Sequence, residues 1–195
     1  MIIGLSGGIA TGKSEASKIF KQLGCYIIDA DKISKQLTSK GSDVLKKIVE
    51  SFGTNILTKT GSLNRKKLGQ LIFNNKGAKL QLERILHVCI IKKINEIVAK
   101  KYKDVDIIID APLLFEVGLD RICDKVVVIY AKYSLQLKRF MKRDHLSKQE
   151  AEQRIAVQIP IEEKMMLATV VIDNSFTLKE LNRNIKYIYS QFKSE

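Results

Sequence analysis

The chain has 195 residues, 45% hydrophobic and 28% charged, with 2 Pro; this allows one domain with a sizeable core and excludes a disordered tail or low-complexity linker. No apolar run approaches the ~18 residues of a membrane span, and residues 1–5 are too short for a signal h-region, so a cytoplasmic protein is expected. The 3 Cys are odd in number and far apart, which excludes a disulfide framework, and the charge of +13 rests on Lys dispersed along the chain, a pattern that suits a solvated surface or a small polyanionic ligand better than nucleic acid.

Residues 2–5 form an apolar run that predicts a buried strand, followed at once by Gly7-Gly8-Ile9-Ala10-Thr11-Gly12-Lys13-Ser14. Ala16, Ile19, Phe20 and Leu23 then recur at helical spacing up to Gly24, a C-cap. Residues 25–28 predict a second short strand, ending in Asp29-Ala30-Asp31. From 32 to 103 the apolar spacing is helical and no strong strand interrupts it, so a helical insertion separates strands two and three. The β-branched runs 105–110 and Lys125–Tyr130 read as central parallel strands buried on both faces, and Val170–Asp173 as a fifth. A strongly charged helical stretch, 135–158, lies between the last two, and a terminal helix spans about 177–192. Strands alternating with helices imply an α/β fold with a parallel five-stranded sheet and right-handed crossovers, its ligands gathered at the carboxyl ends of the strands.

The loop satisfies G-x-x-x-x-G-K-[ST] between a buried strand and an amphipathic helix, the context in which this motif binds phosphate. Its glycines let N–H groups turn around phosphate oxygens at the positive end of the helix. Lys13 would bridge the outer phosphates and the Ser14 hydroxyl would hold Mg²⁺. A dinucleotide site is disfavoured because G-x-G-x-x-G is missing, and a GTPase because Asn75-Lys76-Gly77-Ala78 lacks the Asp of N-K-x-D.

Asp29 and Asp31 stand two residues apart at the end of strand two, so extended geometry points both side chains to one face, where either could act as general base on a hydroxyl attacking the γ-phosphate. The alternative is that Asp31 caps a helix running from Lys32. Asp110 ends strand three, where a carboxylate would bind Mg²⁺ directly or through water. Arg139 and Arg143 lie four apart on one helical face of 135–158, the segment a phosphotransferase would use as a lid, and a guanidinium closed over the transferring group would stabilise its spread charge. His87 and His145 lack partners at metal-ligand spacing and read as structural.

Taken together, the loop, the run 28–31 and the run Asp110-Ala-Pro-Leu-Leu-Phe-Glu116 resemble the dephospho-CoA kinase family, as do residues 61–65, 137–139, Arg154 with Gln158, and 171–174. The resemblance implies a three-layer P-loop kinase core with a helical substrate insertion and a helical lid. It also implies ATP-dependent phosphorylation of the ribose 3′-hydroxyl of dephospho-CoA. It favours Asp31 as the base, with Lys13 and Arg139 completing the catalytic set. Gly7, Gly8, Ala10, Thr11, Gly12, Lys13, Ser14, Glu15 and Arg143 then surround ATP, Asn174 lies at its adenine end, Ser14 and Asp110 hold Mg²⁺, and Arg65 and His87 join Asp31 on the acceptor. The expected division is a core of 1–31, 104–134 and 159–195, an acceptor region of 32–103 and a lid of 135–158. Partners are the two small substrates, with no nucleic acid or membrane, and the chain is a monomer or weak homo-oligomer. The rival readings are another nucleoside or nucleotide kinase and a nucleic-acid-binding NTPase. The chain departs from the family pattern at Ala10, often Gly; at Glu15, commonly Thr; at Val88, usually Pro; and at Thr169, frequently Asp.

Overall fold

The computed structural model describes residues 1–73, 75–103 and 105–194. Five strands, β1 (Ile2–Gly7), β2 (Tyr26–Asp29), β3 (Ile107–Asp110), β4 (Lys125–Tyr130) and β5 (Val170–Asp173), form one parallel sheet in the order β2-β3-β1-β4-β5. The central strands are the ones rich in Ile and Val: Ile3, Leu5, Ile107, Ile108, Ile109, Val127, Val128 and Ile129 are fully buried, as covering both faces requires. Register pairs Leu5 with Asp110 and Gly7 with Ile129, so β1, β3 and β4 open their carboxyl ends on the same edge, with β3 ending short of Gly7.

Alternation along β1 assigns the two faces. Ile3 and Leu5 pack with Ala16, Ile19 and Phe20 of α1 (Lys13–Gln22) and with Leu181, Ile185 and Phe192 of α10 (Leu178–Ser194). Gly4 faces the other way, against Leu114 and Cys123; a Cβ there would lie 2.8 Å from a Leu114 methyl. That layer holds α6 (Leu114–Val117), the 3₁₀ turn Leu119–Ile122 and α9 (Ile161–Met166). These three short elements are not signalled by periodicity, because each is too short to display it. The charged stretch 135–158 is two helices, α7 (Tyr133–Asp144) and α8 (Lys148–Ile155), separated by His145 in the left-handed conformation (φ 53°) and restarted by a capping box of Ser147 and Glu150.

The chain divides into two compact units, Met1–Ile28 with Lys100–Glu195, and Asp29–Ala99. The second is helical: α2 (Ala30–Leu37), α3 (Asp43–Phe52), α4 (Arg65–Phe73) and most of α5 (Lys76–Lys101). Val44, Ile48, Ile56, Leu68 and Leu82 make its core. Here one expectation is corrected. The helix begins at Ala30, not Lys32; Asp29 is the N-cap, its carboxylate accepting from the Lys32 amide at 2.9 Å. Asp31 therefore lies in the first helical turn, and the two carboxylates do not share the expected face of an extended strand.

At the opposite, amino-terminal edge of the sheet, Asp106 accepts from the Tyr189 hydroxyl (2.7 Å), the N-terminal ammonium (2.9 Å) and Lys193 (3.0 Å). Burial alone would raise the Asp106 carboxyl, but these donors outweigh it and hold it at about 2. A carboxyl depressed in the folded state stabilises the fold above its unfolded value of 3.8 and loses that contribution as pH falls toward 2. Asp106→Asn is expected to cost about 2 kcal/mol at pH 7. Urea unfolding of both proteins from pH 7 down to pH 2 checks it: the difference has to shrink across the acid range.

Candidate active site

The loop from Gly7 to Ser14 leaves β1 at the carboxyl edge of the sheet and enters α1. Gly12 is the N-cap residue, at φ 100°, a conformation that strains any side chain, and a Cβ there would collide with the Asn174 amide. Ala10 also lies in the left-handed region (φ 59°), although it carries a Cβ. The fully buried Thr11 folds the loop on itself, its hydroxyl donating to the Gly8 carbonyl at 2.9 Å and its amide to the same oxygen at 3.3 Å.

A loop that cradles an anion presents N–H groups to it, and the carbonyls it does not bond internally need donors from elsewhere. Asn174, just past β5 and 7% exposed, donates Nδ2 to the Thr11 carbonyl at 2.8 Å. Its backbone carbonyl in turn accepts from the Arg139 guanidinium at 3.0 Å. Gln136 and Gln158 bond Ile9. Lys13, in the first turn of α1, forms an ion pair with Asp110 at the end of β3, both side chains largely buried. Ser14 follows it, exposed.

The first unit thus joins Thr11, Gly12, Arg139 and Asn174 in one chain of contacts, and Lys13 with Asp110 in a second. Arg143 is engaged elsewhere: it is exposed, bonds Asp144 through two nitrogens (2.6 and 3.1 Å) and covers the Phe140 ring. Asp144 keeps that guanidinium above its ordinary range, and the guanidinium lowers the Asp144 carboxyl. Glu15 pairs with Lys18 along the helix at 2.7 Å. In the second unit, Asp31 is exposed in the first turn of α2, Arg65 begins α4 and donates to the Thr38 hydroxyl at 2.7 Å, and His87 is half-buried within α5.

Lys164 carries no sequence signal of its own. This fully buried ammonium in α9 bonds the Pro112 carbonyl (2.7 Å) and Glu116 Oε1 (2.8 Å), fastening α9 to the chain that follows β3. The available signal was Glu116, a charge inside an otherwise apolar run that had to find a partner. Among the described residues, no group of three or more His, Cys, Asp or Glu could hold a metal ion by itself. No helix among them is long and apolar enough to cross a membrane.

A profile of the family described as dephospho-CoA kinase matches residues 1–180. A protein from Carboxydothermus hydrogenoformans named dephospho-CoA kinase is 41% identical over 198 residues, covering 98% of this chain and 94% of the relative. Among solved structures, a dephospho-CoA kinase from Campylobacter jejuni aligns with TM-score 0.73 at 34% identity, covering 98% of this chain and 96% of that one. A Thermus thermophilus protein of 26% identity aligns with TM-score 0.83, covering 98% and 97%.

Two outcomes follow from this geometry. Asn174→Ala removes the donor to Thr11 without adding charge beside the anion, so affinity for ATP and for inorganic tripolyphosphate is expected to fall by a similar factor, at least about fivefold; calorimetry showing a loss for ATP alone would assign Asn174 to the adenine base instead. Glu116→Ala leaves the Lys164 ammonium buried without its counter-charge and is expected to destabilise the protein by about 3–5 kcal/mol in urea unfolding.

Proposed function

The chain belongs to the dephospho-CoA kinase family, and on that premise we propose that it transfers the γ-phosphoryl group of ATP to the ribose 3′-hydroxyl of dephospho-CoA, the last step of coenzyme A synthesis. The observation that carries this reading is the strand, loop and helix with Lys13 beside Asp110, in a chain that matches the family from residue 1 to residue 180.

The triphosphate lies against the loop amides and the amino end of α1, where the backbone dipoles favour negative charge. Lys13 exchanges part of its pairing with Asp110 for the outer phosphates. The exchange replaces one anionic partner by another, so the ammonium stays compensated throughout. Arg139 has five N–H donors, of which the Asn174 carbonyl takes one, and the others serve the transferring group. Arg143 adds a further contact to the nucleotide once Asp144 releases it. Residues 135–158 act as the lid that carries both arginines.

Asp31 takes the proton of the 3′-hydroxyl, and Arg65 and His87 help to hold the acceptor in the helical region 32–103. In a loose transition state the base contributes less than positioning and charge stabilisation, so the loop, Lys13 and Arg139 supply most of the rate. The Ser14 hydroxyl and the Asp110 carboxylate are hard oxygen donors, a set that fits Mg²⁺ held by one or two protein ligands together with phosphate oxygens. When bound, the ion neutralises charge on the β- and γ-phosphates.

Release of ADP is expected with ATP and dephospho-CoA together, and far more slowly with a panel of nucleosides and nucleotides as acceptors; a preferred nucleoside would replace the acceptor assignment. Asp31→Asn is expected to lower kcat by at least about a hundredfold while ATP affinity stays within twofold. Wild-type kcat in this variant would remove Asp31 from the base role.

A further inference from the structure

Ile9, at the tip of the phosphate loop, is bonded through both of its backbone polar groups by side-chain amides from far along the chain. Gln136 Nε2, in the first turn of α7, donates to the Ile9 carbonyl at 2.8 Å. The Ile9 amide donates to Gln158 Oε1, past the end of α8, at 3.0 Å. A carboxamide is suited to both tasks because it carries a donor and an acceptor without a charge beside phosphate. Gln136 is 3% exposed, and Gly8 leaves the space it needs: a Cβ on Gly8 would stand 2.7 Å from Gln136 Nε2. The two glutamines also line a cavity of about 420 Å³ that reaches Gly8 and is walled by Tyr130, Tyr133, Ile155 and Pro160.

The arrangement has a topological consequence. The helical pair α7 and α8 is held at its start and at its end by one residue of the loop. The curvature of the loop and the setting of this helical pair are therefore not independent, since a shift at either end of the pair pulls on the Ile9 peptide groups.

We propose that Gln136 and Gln158 are positioning residues, an amide clamp that fixes Ile9 and so sets the phosphate loop relative to the segment carrying Arg139. This rests on the phosphate-cradle reading above, but not on the identity of the acceptor. Neither glutamine touches the reacting atoms; each acts through the loop backbone.

Gln136→Met and Gln158→Met keep the side-chain length and remove the amide. Binding of a non-hydrolysable ATP analogue is measured by calorimetry for both variants and the double variant, alongside kcat, KM for ATP and the unfolding midpoint. Each single change is expected to weaken the analogue at least fivefold. The double variant is expected to lose far less than the product of the two, because either change already frees the same residue. Singles that bind within twofold of wild type, or losses that simply multiply, would overturn the clamp. Should Gln136→Met fail to fold, the half-buried Gln158 decides alone: Gln158→Met has to weaken the analogue while its unfolding midpoint holds. Wild-type protein that binds the analogue yet releases no ADP with dephospho-CoA would overturn the acceptor assignment and leave the outcome for the clamp readable.

Discussion

A main-chain anion site keeps its shape only if the polar groups of its own turn are satisfied; Thr11 bonds the Gly8 carbonyl from within the loop, the Ile9 and Thr11 carbonyls take donors from far along the chain, and much of this fold serves to supply those donors. The donor to the Thr11 carbonyl is Asn174, and what places Asn174 is the sheet. Its own amide donates to the Tyr130 carbonyl at 2.8 Å, continuing the β4–β5 ladder past the last paired residues, Tyr130 and Asp173. At the other end of the same strand Thr169 bonds Val126 twice, hydroxyl accepting and amide donating, at 2.9 and 2.8 Å. Thr169, where the family frequently has Asp, thus fixes the register of β5 at its start, and Asn174 delivers that register to the phosphate loop at its end.

The charges near the loop follow a similar logic of position over net stability. A buried ion pair loses about as much by desolvation as it gains by attraction, so Lys164 with Glu116 is weak evidence for a stronger fold. It does constrain geometry. Lys164 bonds both the Pro112 carbonyl and Glu116, and Glu116 Oε1 also accepts from the Ile159 amide at 3.4 Å. Ile159 adjoins Gln158, which holds Ile9. The chain that follows β3 and the chain that returns from α8 are therefore tied together next to the loop, on the side of the sheet opposite α1.

The strands and the loop were legible in the sequence because their signals are local. β4 and β5 fall on the residues that their β-branched runs mark, and the loop motif is a spacing rule with a strand before it and a helix after it. The start of α2 is not legible in the sequence because Asp29 and Asp31, two residues apart, are both capable caps; the extended backbone of Asp29 (φ −87°, ψ 105°) and its bond to the Lys32 amide separate them. Asn174 and Gln158 stand out only through the family resemblance, Gln136 not at all, and for none of the three does the sequence show its partner in the loop. Gln136, Gln158 and Asn174 meet loop residues 127, 149 and 163 positions away, and a lone Gln or Asn in a helical or turn pattern carries no mark of such a partner. The arginines were half legible: their four-residue spacing is real, yet Arg139 turns to Asn174 and Arg143 to its neighbour Asp144, a distinction that periodicity does not contain.

Two of the departures from the family pattern lie within the loop and its helix, and neither opposes an anion site. A left-handed Ala costs roughly 1–2 kcal/mol in the folded state. Relative to Gly it also restricts the unfolded chain, which returns about 0.4–1 kcal/mol. The balance at Ala10 is therefore a modest loss, one that the hydrogen bonds holding Ile9 and Thr11 on either side can absorb, since they fix the turn whatever residue stands between them. Glu15 places a carboxylate one residue from Ser14, where it gains from the helix dipole. Its charge is directed along the helix surface to Lys18 at 2.7 Å. The pair is close to neutral as seen from the loop, and at that separation its residual field is that of a small dipole instead of a net charge, so the repulsion an isolated Glu15 would exert on a triphosphate is largely cancelled.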